Sequence, residues 1–171
     1  RDMDLGLEVP KGSQVDVMFF MPNSASIALS DPQEYRKEAV RTYVDTLGPD
    51  DQSVVQFYGS DKLTITRLLP SLYFPILTQF FDKYPPSDAY GTGRSYFLAL
   101  YGEEFLYSGD PTHHWIAVLL MDKSGTGYND RYLRALKTFH IRYYTVGLGP
   151  TADAAILSRI ASETGGKYYY A

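Results

Sequence analysis

The chain has 171 residues, a formal net charge of −4 and no cysteine. That length suits one domain with a real hydrophobic core, and the acidic balance, with no Lys/Arg stripe to track phosphates, argues against nucleic-acid binding. Without cysteine, disulfides, thiolate catalysis and zinc–thiolate sites are excluded, and no apolar run approaches the roughly 20 residues that span a bilayer.

Residues 1–13 are polar, with Gly6, Pro10 and Gly12, and read as a lead-in from a preceding domain. The chain does not begin with Met, as expected of an excerpt or processed product of a longer protein. Val15 to Met21 is a nearly unbroken apolar run, followed by Pro22 and the small polar residues Asn23, Ser24, Ala25 and Ser26. Such a run bounded by turn formers predicts a strand buried on both faces. Asp31-Pro32-Gln33-Glu34 predicts a helix start, with Asp31 as cap, Pro32 in the first turn and Glu34 closing a capping box. Tyr35, Ala39, Val40, Tyr43, Val44 and Leu47 follow at helical spacing, and Gly48-Pro49 stops the helix.

Ser53 to Tyr58 predicts a second strand. Leu63 to Leu68 alternates and lies one short turn away, so it predicts an antiparallel edge strand. Residues 73–84 predict a helix despite Pro75, and a further helical stretch opens at Gly91-Thr92-Gly93 and runs through Leu106. Trp115 to Met121 predicts a buried strand ending at Asp122. A loop follows to Asp130, then a helix marked by Tyr132, Leu133, Leu136 and Phe139. Ile141 to Leu148 predicts a strand, Thr151 a helix cap, Gly165-Gly166 the end of that helix, and Lys167 to Tyr170 a last strand. His113 and His114 are neighbours that point to opposite faces of a strand, so they read as strand entry rather than a ligand pair.

The alternation of strands and helices predicts an α/β fold. It is a doubly wound, mostly parallel six-stranded sheet with one antiparallel edge strand and helices on both faces. Ligands of such sheets bind beyond the carboxyl ends of the strands, which places Asn23, Ser24 and Ser26 at the functional rim.

Pro22-Asn23-Ser24-Ala25-Ser26 resembles the first motif of the von Willebrand factor A (vWA) family, an apolar strand leading into D-x-S-x-S, with Pro22 in the acidic position. Gly91-Thr92 is similar to that family's second motif. Leu120-Met121-Asp122-Lys123 resembles the third, a strand leading into T-D-G, with Met121 and Lys123 in place of Thr and Gly. Tyr144 to Gly149 resembles its strand into I-G-x-G. The match runs over roughly residues 13–171, and the vWA-like domain is expected over 14–171.

The resemblance implies a metal-ion-dependent adhesion site of degenerate form. Ser24, Ser26, Thr92 and Asp122 are the candidate ligands for Mg or Mn, and no other cofactor is expected. Mg²⁺ takes about six oxygens and usually more than one carboxylate, so Pro22 weakens the site. The implied function is a non-enzymatic protein-binding, adhesion or scaffolding module of a larger protein. Asn23, Tyr90, Arg94, Lys123 and Tyr128 are the candidate partner contacts. Dependence on a divalent metal is expected to be weak or absent. The family context implies an extracellular, cell-surface or periplasmic position.

Two alternatives stand beside this. Asp122-Lys123-Ser124-Gly125-Thr126 resembles the D-K-T-G-T motif of cation-pumping ATPases, which would make Asp122 the nucleophile of a Mg-dependent phosphohydrolase-like enzyme. A purely structural domain with a vestigial rim is the other.

Overall fold

A computed structural model of the chain describes residues 13–58, 63–64, 69–70, 79, 81, 83, 109–123 and 130–171. The elements run β1 (Val15–Pro22), α1 (Ile27–Ser30), α2 (Tyr35–Val44), β2 (Gln52–Tyr58), β3 (Leu63–Thr64), β4 (Leu69–Pro70), β5 (His114–Met121), α3 (Asp130–Thr138), β6 (Arg142–Gly147), α4 (Ala154–Thr164) and β7 (Tyr168–Tyr170). Residues 79, 81 and 83 are helical, within the span 73–84 expected as a helix. The lead-in over 1–12 and the helical stretch from Gly91 lie outside the described residues.

The sheet order is β3-β2-β1-β5-β6-β7, with β4 also on β2. Five strands, β2, β1, β5, β6 and β7, run parallel. At the edge, β3 pairs antiparallel with β2 as expected, and β4 pairs antiparallel with β2 as well; residues 65–68 lie outside the described residues. Thr64 faces Gln56 and Leu69 faces Ser53. Five steps along the edge chain therefore meet three steps along β2. Pro70 is tolerated there because an edge residue has no outer neighbour to donate to.

Alternation along the strands builds two cores. Val17, Phe19, Met21, Val55, Phe57, Val118, Leu120 and Val146 face one side, where Val40 and Val44 of α2 and Phe81 cover them. Met18, Phe20, Val54, Ala117, Leu119 and Tyr143 face the other, beneath Leu136 of α3 and Leu157 and Ile160 of α4. β1 is buried at all eight positions, as its apolar run demands. Truncating Phe19 or Phe20 to Ala would cost about 3–5 kcal/mol.

Helix starts depart from expectation in two places. Asp31 does cap α2: its carboxylate accepts from the Tyr35 amide at 2.8 Å and the Arg36 amide at 3.1 Å. Glu34 makes no capping box. It sits in the left-handed region at φ 55° and turns its carboxylate to Lys37 at 2.7 Å. Thr151 does not cap α4; Asp153 does, accepting from the Ile156 amide at 3.1 Å. Gly165 closes that helix at φ 79°, and the Gly166 amide returns to the Ala161 carbonyl at 2.9 Å.

At the amino end of the sheet, Asp16 is fully buried inside β1. Its Oδ1 lies 2.8 Å from His113 Nδ1, and its Oδ2 accepts from the Asp110 amide at 2.6 Å. His114 is exposed while His113 turns inward, as opposite faces require. Burial pushes the Asp16 carboxyl above its ordinary value, although both hydrogen bonds oppose the shift.

Candidate functional site

Three loops meet at the carboxyl end of the sheet. β1 delivers Ser24 and Ser26, β5 delivers Asp122, and the segment after β6 delivers Thr151. Ser26 Oγ donates to Asp122 Oδ2 at 2.7 Å, and Ser24 Oγ lies 2.8 Å from Ser26 Oγ. Ser26 stands at the start of α1 without making a side-chain cap, because its hydroxyl is committed to Asp122. Thr151 Oγ1 donates to the Asp122 carbonyl at 2.6 Å. Asp122 is 2% exposed, and its Oδ1 has no hydrogen-bond partner among the described residues. Three of the expected site residues, Ser24, Ser26 and Asp122, are thus brought together. Thr92, Tyr90, Arg94 and Tyr128 lie outside the described residues.

Asn23 is not available as a contact. It is 3% exposed, its amide donates to the Tyr58 carbonyl, and its Oδ1 accepts from Arg36 Nη2 at 3.5 Å. Arg36 is 1% exposed and pairs with Asp31 at 2.9 Å, so a buried ionic cluster holds the root of the first loop. A guanidinium taken out of water needs such partners. Lys123 is exposed, and Asp122 is bonded to Ser26, so the two neighbours do not neutralise one another as a pair.

Pro22 has a specific structural partner. The Asn23 amide points to β2, and residues along a strand alternate, so position 22 faces β5. The register Phe20↔Leu119 puts the Leu120 carbonyl opposite the amide that proline lacks. The Tyr58 hydroxyl, reaching across β1 from β2, donates to that carbonyl instead.

Sequence reading missed three exposed side chains. Leu29 (89%), Tyr35 (66%) and Tyr170 (64%) are the exposed large hydrophobics among the described residues. Leu29 follows β1 in α1, Tyr35 opens α2, and Tyr170 ends β7, so all three stand at the carboxyl pole. The neighbours of Leu29 and Tyr170 meet at Gly149. Ser30 packs against Gly149, and the Gly149 amide donates to the Ala171 carbonyl at 2.9 Å. Tyr35 was expected on the apolar stripe of its helix with Ala39 and Tyr43, and its 66% exposure departs from that.

The sequence matches no family model and no curated protein sequence. Solved structures do match. The von Willebrand factor type A protein from Catenulispora acidiphila aligns at TM-score 0.77 and 17% identity, over 93% of this chain and 38% of that one. An aerotolerance-related membrane protein from Bacteroides fragilis aligns at 0.75 and 16%, over 92% and 91%. The manganese-loaded TRAP protein of Plasmodium vivax aligns at 0.70 and 19%, over 93% and 68%. The chain therefore spans well under half of the Catenulispora protein.

Manganese at the Plasmodium protein makes a metal the natural test of the rim. Here the described donors are one carboxylate and two hydroxyls, and Pro22 contributes no side-chain oxygen. Among the described residues no group of three or more His, Cys, Asp or Glu converges. Among the described residues a divalent ion would face a single negative charge, a poor match to a dedicated Mg²⁺ or Mn²⁺ site. Against Asp122 as a nucleophile stands the hydrogen bond by which Ser26 already holds one of its oxygens.

Proposed function

Proceeding from the fold of a von Willebrand factor A domain, we propose that the chain is a non-enzymatic protein-binding module of a larger adhesion or scaffold protein. It engages its partner through the carboxyl-end rim without a divalent metal. The observation that supports this most is the gathering of Leu29, Tyr35 and Tyr170 at the same pole as the Ser24–Ser26–Asp122 cluster. Exposed apolar side chains are ordinary singly, but a set at one pole beside a polar cluster has the make-up of a contact surface. Lys123 adds an exposed charge there, and Tyr90, Arg94 and Tyr128 are further candidates from sequence. Among the described residues no helix is long and apolar enough to cross a membrane. The membrane protein of Bacteroides fragilis with this fold supports a surface or periplasmic placement.

The test is proximity labelling of the parent protein in its own cell, with the wild type, a rim variant (Leu29→Asp with Tyr170→Ser) and a control on α3 (Arg134→Glu). Loss of a labelled partner in the rim variant alone supports the reading. A partner kept by the rim variant moves the contact elsewhere. A rim with no partner at all leaves a structural domain.

A further inference from the structure

The proton count at the rim decides what the cluster can still bind. Ser26 gives its one hydroxyl proton to Asp122 Oδ2. It must then accept in its 2.8 Å contact with Ser24, so Ser24 gives its proton to Ser26. Both hydroxyl protons run inward to the carboxylate. What remains uncommitted is acceptor capacity alone: Asp122 Oδ1, the second lone pair of Ser26 Oγ and the lone pairs of Ser24 Oγ. Oδ1 belongs to a side chain 98% removed from solvent yet has no partner among the described residues. A buried carboxylate oxygen left in that condition is costly, and a donor that reaches it gains strongly.

We propose that Ser24, Ser26 and Asp122 form a receptor for a primary ammonium group, supplied by a lysine side chain of the partner protein. This rests on the rim being the contact face, and it names the partner chemistry. An ammonium carries one positive charge and three donors on a compact centre, matching one negative charge and three uncommitted acceptors. A guanidinium fits less well, because its planar fork seeks both oxygens of a carboxylate and Oδ2 is already taken. A partner carboxylate is repelled by the like charge of Asp122. Ser24 and Ser26 are only part-buried, so the approach to the cluster runs past the serines. Beside them the apolar Leu29 suits the methylene stem of a lysine.

The experiment is an NMR titration of the isotope-labelled chain, reading the amides of Ser24, Ser26 and Asp122. Methylammonium is the probe, tetramethylammonium the control with the same charge and no donors, and Mg²⁺ the metal arm. Saturable shifts with methylammonium alone, weakened about tenfold or more in Asp122→Asn and in Ser24→Ala, are expected. Lys123→Ala should tighten binding by removing a like charge. Equal response to tetramethylammonium, saturation by Mg²⁺ alone, or an undiminished response in both variants overturns the proposal. Acetylating the partner's lysines separates this from the broader reading. Capture that survives acetylation but is lost in Leu29→Asp removes the ammonium proposal and keeps the rim. Capture that survives Leu29→Asp removes the rim.

Discussion

Tyr58→Phe deletes the donor that serves the Leu120 carbonyl, and residue 22 has no amide to replace it. An unmet buried acceptor costs about 1–3 kcal/mol. A domain of this size shifts by about 2–4 °C per kcal/mol, so the unfolding midpoint should fall by about 2–12 °C. Pro22→Ala restores an N–H facing the same carbonyl. In that background Tyr58→Phe should lose much of its effect, giving a coupling of about 1 kcal/mol or more. The change in unfolded-chain entropy on replacing proline appears in both arms and cancels. Thermal and urea unfolding of the four proteins, followed by circular dichroism, measures the cycle. Effects that add to within about 0.5 kcal/mol would refute the idea that Tyr58 stands in for the missing ladder donor.

Other predictions follow from single features. Gly166→Ala would put a Cβ 1.8 Å from the Tyr143 carbonyl oxygen, so it should destabilise by about 3 kcal/mol or more, whereas Gly165→Asn, with open space and a left-handed backbone, should cost under about 1 kcal/mol. Comparative denaturation of the pair checks this. A saturating divalent ion would stabilise by about 2.7 kcal/mol at a hundred times its dissociation constant, so a midpoint moved by less than about 2 °C between EDTA and millimolar Mg²⁺ or Mn²⁺ is the expected result. A shift of several degrees that vanishes in Asp122→Ala would restore the metal site. The raised Asp16 carboxyl binds its proton more tightly when folded. Its contribution to stability is therefore full below about pH 4 and is lost as pH rises through the raised value. The stability of wild type minus Asp16→Asn should fall with pH over that window, and a flat difference across about pH 3–8 would contradict it.

The parallel core was legible because burial on both faces leaves a plain apolar run, as in Val17 to Met21 and Ile116 to Met121. The rim triad was legible only through resemblance, since Ser26 and Asp122 are 96 residues apart and nothing local pairs them. Asn23 shows where local reading stops: a polar residue after a strand looks exposed, but Arg36, thirteen residues on, requires it as an acceptor. Asp16 and His113 met the same obstacle over 97 residues. The antiparallel edge was legible from the short turn after β2 and the alternation that follows it, and Leu63 and Thr64 pair with β2 accordingly.

Asp122 is held from two sides by loops that are not its own: Ser26 grips its side chain and Thr151 its carbonyl. For anyone transplanting binding specificity onto this scaffold, the three loops form one module. Exchanging the loop after β1 alone would strip Asp122 of Ser26, its side-chain partner, and altering the segment after β6 would release its backbone. Grafts that carry Ser24 to Ser26, Asp122 and Thr151 together should keep their shape; grafts of any one should behave as three simultaneous lesions.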